Sequence, residues 1–290
     1  MPDFSPTRPL AHDLLAQLQA IAAHWPAPRV TRLHLPARPP GETPRDAEFC
    51  AIELEDGSFG LSYVRLGDTL AVLQAAHGGG AAPLAGADPL QLVAELAAGG
   101  PVARAVALAA ANALTDSAWR RAGYEPPAAA DSLGEVPLGP GDHLGMIGFF
   151  TPLVARVQAA GARLTVVELD ADTVTRQQAR FPGVRVTLDR RELAPCQVVV
   201  GTSTMLLNDT LDAMRAATPA ARHFAVIGPS AGLWPDPLFA RGVTLQGGTR
   251  VVDRAGLRDA MARGQPWGPY TRKFAIARDR WPGWRALIGR

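Results

Sequence analysis

The stretch His143-Leu144-Gly145-Met146-Ile147-Gly148-Phe149-Phe150-Thr151-Pro152 reads as an apolar strand that turns at glycine into a helix. Pro152 suits the first helical turn, where a missing N–H costs nothing. The pattern repeats downstream. Strand-like runs occur at His143–Gly148, Arg163–Leu169, Val184–Leu188, Cys196–Gly201 and His223–Gly228, with helical patterns at Thr151–Ala160, Ala171–Ala179 and Asp209–Ala217. The unbroken apolar runs Val198-Val199-Val200 and Ala225-Val226-Ile227 suit parallel strands covered on both faces. Strands alternating with helices over roughly 120 residues predict an α/β, Rossmann-like, doubly wound parallel sheet.

Upstream the grammar differs. Leu10, Leu14, Leu15, Leu18 and Ile21 recur at helical spacing, and Arg29–Leu35 alternates as a strand. A proline-rich loop follows from Pro36 to Pro44. Phe49–Leu54 and Phe59–Val64 flank Asp56-Gly57, a hairpin signal because glycine takes positive φ without a steric penalty. Three helices are expected next. One spans Asp68–Ala76 and stops at Gly78-Gly79-Gly80, one opens at the Asp88-Pro89 cap, and one runs from Val102 to Arg121. This is a smaller α+β unit. The Pro-rich segment Gly123–Gly141 is the expected linker, which divides the chain into residues 1–125 and 126–290, the second with an irregular aromatic and basic tail.

Composition removes several function classes. Lys and Arg number 29 against 27 Asp and Glu, a net charge of +2, so no strong field recruits nucleic acid or an acidic membrane surface. Trp267, Tyr270, Phe274, Trp281 and Trp284 lie among basic residues near the end; they are expected to pack across the body rather than stack on single-stranded nucleic acid. Cys50 and Cys196 cannot form a disulfide framework or a cysteine-based zinc module, and read as small buried apolar residues. The six histidines, His12, His24, His34, His77, His143 and His223, show no metal-ligand spacing. With no signal peptide and no long apolar span, the expectation is a cytoplasmic protein without membrane partners.

In an open α/β sheet, ligands bind where loops leave the carboxyl ends of the strands. Four segments should meet there. Gly145 and Gly148 would let backbone approach a ligand, although Phe149 and Phe150 occupy the place a pyrophosphate would need, and the dinucleotide glycine pattern is incomplete. Glu168 stands 20 residues after Gly148, where ribose-binding folds place an acid; its ordinary alternative is a hydrated strand end. Thr202, Ser203 and Thr204, followed by Asn208 and Asp209, offer hydroxyl and amide donors, with helix capping as the other use of the last two. Gly228, Pro229 and Ser230 shape the fourth turn.

These segments in this order, with Gly242-Val243 and Gly247-Gly248 beyond them, resemble the putative heavy-metal chelation family. Gly60-Leu61-Ser62-Tyr63 and Ala109–Leu114 look like that family's amino-terminal partner, similar to the enolase N-terminal fold. The likeness runs from about Leu10 to Gly264. It implies a ligand site in a cleft between two domains, to which Asn112 would add a polar group unless it bonds to neighbouring backbone as an ordinary helix residue, and a metal ion as the cofactor. Two functions follow. One is a small-ligand-binding protein that chelates a heavy-metal ion or metal complex. The other is an enzyme on a Rossmann-like scaffold acting on a small anionic or metal-chelating metabolite, with a nucleotide or S-adenosylmethionine. Expected partners are a small molecule or metal ligand and further copies of the chain in a homo-oligomer.

Overall fold

The computed structural model describes residue 4 and residues 7–37, 48–77, 83–130 and 138–289. The amino-terminal half begins with α1 (Leu10–His24) and β1 (Val30–His34). The hairpin β2 (Phe49–Leu54) and β3 (Phe59–Tyr63) follows, then α2 (Thr69–His77), α3 (Pro89–Ala98) and α4 (Pro101–Arg121). The three strands form an antiparallel sheet in the order β1-β2-β3. Gly57 turns the hairpin at φ +77°, and the Asp88 side chain caps α3 by accepting from the Leu90 N–H at 2.9 Å. The expected stop at Gly78–Gly80 and most of the loop from Pro36 to Pro44 lie outside the described residues.

Helix α4 is the axis of this half. Every residue from Ala105 to Trp119 is buried, the polar Asn112, Thr115, Asp116 and Ser117 included, so the helix is packed on all sides. Alanine gives it strong helix propensity and a thin profile. At Gly60 on β3, a Cβ would collide with the α4 backbone at Ala109 and Ala113; only glycine lets the strand lie so close.

The carboxyl-terminal half contains β4 (His143–Ile147), α5 (Thr151–Ala159), β5 (Arg163–Val167), α6 (Ala171–Arg180), β6 (Arg185–Thr187) and β7 (Val198–Thr202). The later elements are α7 (Leu211–Ala216), β8 (His223–Ile227), α8 (Asp236–Phe239), β9 (Leu245–Val251), α9 (Arg254–Arg263), β10 (Thr271–Ala277) and α10 (Trp284–Ile288). The sheet has seven strands in the order β10-β9-β8-β7-β4-β5-β6. All pairings are parallel except β9 with β10. The chain is therefore a mixed α/β protein with a mostly parallel, doubly wound sheet beside a small antiparallel one. One sheet face, with Leu144, Met146, Val166, Val198 and Val200, packs on Leu153, Val154 and Val157 of α5. The other, with Ile147, Val199, Phe224 and Val226, joins a core that also contains α1 and α4.

Two expectations are corrected. The aromatic and basic tail is not irregular: it forms β10, the edge strand of the large sheet, and α10. In the segment expected as a linker, Ala129 donates to the Lys273 carbonyl and Ala275 to that of Pro127 along β10. Asn208 and Asp209 do not cap α7; its N-cap is Thr210, and Thr202 caps the short 3-10 turn Ser203–Leu206 instead.

The tail rings fold inward. Phe274 meets Trp119 edge-on at 5.5 Å, and Trp281 meets Trp234 at 5.7 Å. Among the described residues, no helix is long and apolar enough to cross a membrane.

Candidate functional site

The strand order reverses between β4 and β7, the neighbours that lead away in opposite directions. Such a switch point opens a crevice at the carboxyl ends of the strands. A cleft of about 1120 Å³ lies there. Its floor is built by the turns after β4, β5, β7 and β8. Phe49, Tyr63 and Leu66 from the amino-terminal half and Trp267 from beyond α9 form part of its wall.

Two glycines shape the floor. Gly148 sits at φ +76° with the Thr202 side chain against it, and Gly228 at φ +135° faces the Ser203 hydroxyl. Both conformations are ones that L side chains rarely take. Thr202, Ser203, Thr204 and Asn208 line the cleft together with Gly148, Phe149, Glu168, Gly228 and Pro229. The Thr202 and Thr204 hydroxyls lie 2.9 Å apart. The Asn208 amide oxygen accepts from the Thr210 hydroxyl at 2.7 Å. Asp209 carries φ +57°, and its carboxylate stands 3.7 Å from Arg104.

The remaining three candidates lie elsewhere. Gly145 is inside the sheet, where a Cβ would come 2.9 Å from Leu193 and 3.1 Å from Cys196. Ser230 is buried, its hydroxyl accepting from the Tyr63 N–H at 2.9 Å. Asn112 donates to the Leu61 carbonyl at 2.7 Å and to the Ser230 carbonyl at 2.9 Å. Asn112 and Ser230 thus tie α4, β3 and the turn after β8 together beneath the cleft wall.

Glu168 is half-buried at the end of β5. Burial raises its pKa above the ordinary carboxylate value, and Asp170 adds to this; N–H bonds from Phe149 and Leu169 and the nearby Arg176 act against it. Arg176 and Lys273, both exposed, supply positive charge at the rim. Phe149 stacks on Phe181 with ring centroids 5.0 Å apart, so its ring stands fixed in the cleft. The residues that sequence patterns did not mark are Phe49, Tyr63, Arg176, Trp267 and Lys273. They come from separate elements, and only the tertiary fold gathers them.

Neither cysteine, and neither His143 nor His223, is among the residues that line this cleft. Cys196 is buried, its thiol pushed up to about 11 by desolvation; Cys50 is pushed up to about 12 for the same reason. The His143 Nε2 lies 2.8 Å from the Thr165 hydroxyl and the His223 Nδ1 lies 3.0 Å from that of Thr244. Both imidazoles have their pKa lowered by burial. Among the described residues, no three His, Cys, Asp or Glu side chains come together as a metal site.

Two family profiles match the sequence, each described as putative heavy-metal chelation, one over residues 131–278 and one over residues 47–115. Two solved structures share the fold. A protein of unknown function from Desulfitobacterium hafniense DCB-2, of the DUF364 family, is 19% identical with a TM-score of 0.67, covering 92% of this chain and 99% of its own. A second DUF364 protein of unknown function, from Pyrococcus horikoshii, is 15% identical with a TM-score of 0.65 and the same two coverages. No curated protein matches the sequence.

Proposed function

Because the chain belongs to the family described as putative heavy-metal chelation, we propose that it binds a metal as a complex with a small anionic chelator, between its two units. The observation that supports this reading is the donor set of the cleft. Heavy, soft cations prefer thiolate and imidazole, whereas the polar groups here are hydroxyls, the amides of Gln177 and Asn208 and the carboxylates of Glu48 and Glu168, with no cysteine or histidine among the described lining residues. Met205 and Met214 touch the cleft, but both are buried in the core. These groups do not fit a naked soft ion. They do fit the outer surface of a chelate, where Thr202, Ser203 and Thr204 donate to chelator carboxylates and Arg176 and Lys273 attract its negative charge. Recognition here requires no bond from protein to metal.

Titration calorimetry with Cd²⁺ alone, citrate alone and the premixed Cd²⁺–citrate complex tests the proposal. The complex is expected to bind, the bare ion is not, and Thr202→Val should weaken the complex about tenfold, near 1.4 kcal/mol. Tight stoichiometric binding of Cd²⁺ without citrate would overturn it.

A further inference from the structure

The end of the cleft at β5, where Glu168 and Leu169 line it, adjoins a surface at the end of β6 that carries Leu188 outside the lining. Leu169 is 59% exposed and Leu188 is 53% exposed, among the few large apolar side chains the fold leaves in solvent. They follow the ends of neighbouring strands: Val167 pairs with Thr187, and the Glu168 N–H donates to the Thr187 carbonyl at 3.0 Å. Two leucines thus project from adjacent strand ends, with the Glu168 carboxylate between β5 and Leu169. Exposed apolar groups beside a polar cleft mark a surface for an apolar ligand face. Glu168 accepts two N–H bonds, and a carboxylate has about four acceptor sites, so two remain for hydroxyl groups.

The turn after β4 is closed to phosphate. Its N–H groups would hold a diphosphate in a dinucleotide fold, but here they are committed. Gly148 donates to the Val167 carbonyl at 2.9 Å, Phe149 to Glu168, Phe150 to the Met146 sulfur at 3.1 Å and Leu153 to the Phe150 carbonyl at 2.9 Å. Pro152 has no N–H. The Phe149 ring, stacked on Phe181, lines the cleft at the same turn.

We infer that the β5 end of the cleft binds a nucleoside that bears no diphosphate at this turn, with Glu168 accepting the ribose hydroxyls and the base lying across Leu169 and reaching out of the cleft over Leu188 on the adjoining surface. The acid matches the position at which doubly wound folds receive ribose, and the two leucines supply the apolar surface a planar base requires. A cleft of about 1120 Å³ exceeds what one small ligand fills, so this nucleoside and the chelate proposed above can occupy separate halves. The inference rests on reading the cleft as a ligand site. It does not depend on the other ligand being a metal complex.

The test uses the full chain and calorimetric titrations with adenosine, 2′-deoxyadenosine, S-adenosylmethionine and NAD, run beside the Cd²⁺–citrate titration on the same preparation. Adenosine or S-adenosylmethionine is expected to bind, and Glu168→Gln to weaken adenosine about tenfold. Gln keeps the shape of Glu168, and thermal melting verifies that the variant is folded. 2′-Deoxyadenosine should already bind weakly and lose little more in Glu168→Gln, because the hydroxyl and the carboxylate act as a pair. Leu188→Asp should weaken every nucleoside while leaving the Cd²⁺–citrate titration unchanged. NAD should bind no better than adenosine. Failure of every nucleoside with intact Cd²⁺–citrate binding would overturn this inference alone, and failure of both titrations would overturn the reading of the cleft as well. NAD binding at least tenfold tighter than adenosine would show the turn to be open and the inference wrong.

Discussion

The two ends of the seven-stranded sheet use similar polar residues for opposite purposes. At the amino ends His143 and Cys196 are buried and His223 is half-buried, and the imidazoles bond Thr165 on β5 and Thr244 just before β9. At the carboxyl ends Thr202, Ser203, Thr204, Asn208 and Glu168 open onto a cleft. The contrast shows that donor chemistry alone does not locate a site. The imidazoles and the thiol of the amino end are packed into the structure, while hydroxyl and carboxylate oxygens line the cleft at the other. Topology decides which end opens, because only the carboxyl ends have the switch point.

The largest effect expected from this contrast is on thiol chemistry. Cys50 and Cys196 should be unreactive toward a thiol reagent in the folded protein and react fully in denaturant. Their rates should differ by a factor on the order of 10³ or more, because reaction requires opening of the core. Stoichiometric labelling of Cys196 in native buffer, followed by absorbance, would break the comparison by showing the amino end to be accessible.

A pair of glycine substitutions sharpens it. Gly145→Ala forces a methyl group against Leu193 and Cys196 and should cost roughly 1–3 kcal/mol by overpacking. Gly228→Ala meets a strained φ and the Ser203 hydroxyl, and should cost a similar amount, about 1–3 kcal/mol. Urea titration should place the two together in stability. Calorimetry should separate them: Gly145→Ala retains Cd²⁺–citrate binding, and Gly228→Ala loses it. Equal loss of binding in both would mean that the amino end also shapes the site.

The smallest effect is on pH dependence. Burial lowers the pKa of His143 and His223 in the folded state below the ordinary imidazole value of about 6.5. The unfolded chain therefore takes up protons that the folded chain refuses. Stability is present above about pH 6.5 and declines as the pH falls below it, by at most about 1.4 kcal/mol per pH unit for each histidine. Replacing His143 by Gln, which can reach Thr165 as Nε2 does, and His223 by Asn, which mimics Nδ1, should flatten the fall in melting temperature between pH 7 and pH 5. An unchanged slope would place the acid sensitivity elsewhere.

Much of this sheet was legible because parallel strands buried on both faces spell themselves out in consecutive apolar residues, as at Val198–Val200 and Ala225–Ile227. β9 and β10 were not. Gly247 and Gly248 weaken the strand signal of β9, yet Gly248 is there because a Cβ would strike the Phe274 ring on β10. That reason belongs to the partner strand. The cleft floor was legible through Gly148, Thr202–Thr204 and Gly228, since strand-to-helix turns advertise themselves by composition. Asn112 stood out as an amide in an alanine run, but its partner Ser230 is 118 positions away, and no local pattern reports such a distance. The wall residues Tyr63 and Trp267 have no signal of their own, because any buried aromatic residue looks the same in sequence.

The joint between the halves also bears on how the chain is made. Asp13 on α1 is fully buried against Arg241, their charged groups 2.9 Å apart, and Gln17 on the same helix donates to Asp236 across 219 positions of sequence. During synthesis α1 leaves the ribosome long before either partner exists. Until then Asp13 has Arg8, itself half in solvent, as its ion-pair partner, and a carboxylate so weakly paired is too costly to bury. This helix can thus reach its final seat only after Asp236 and Arg241 have been made, and such late closure predicts a slow folding phase set by the distance between its partners along the chain.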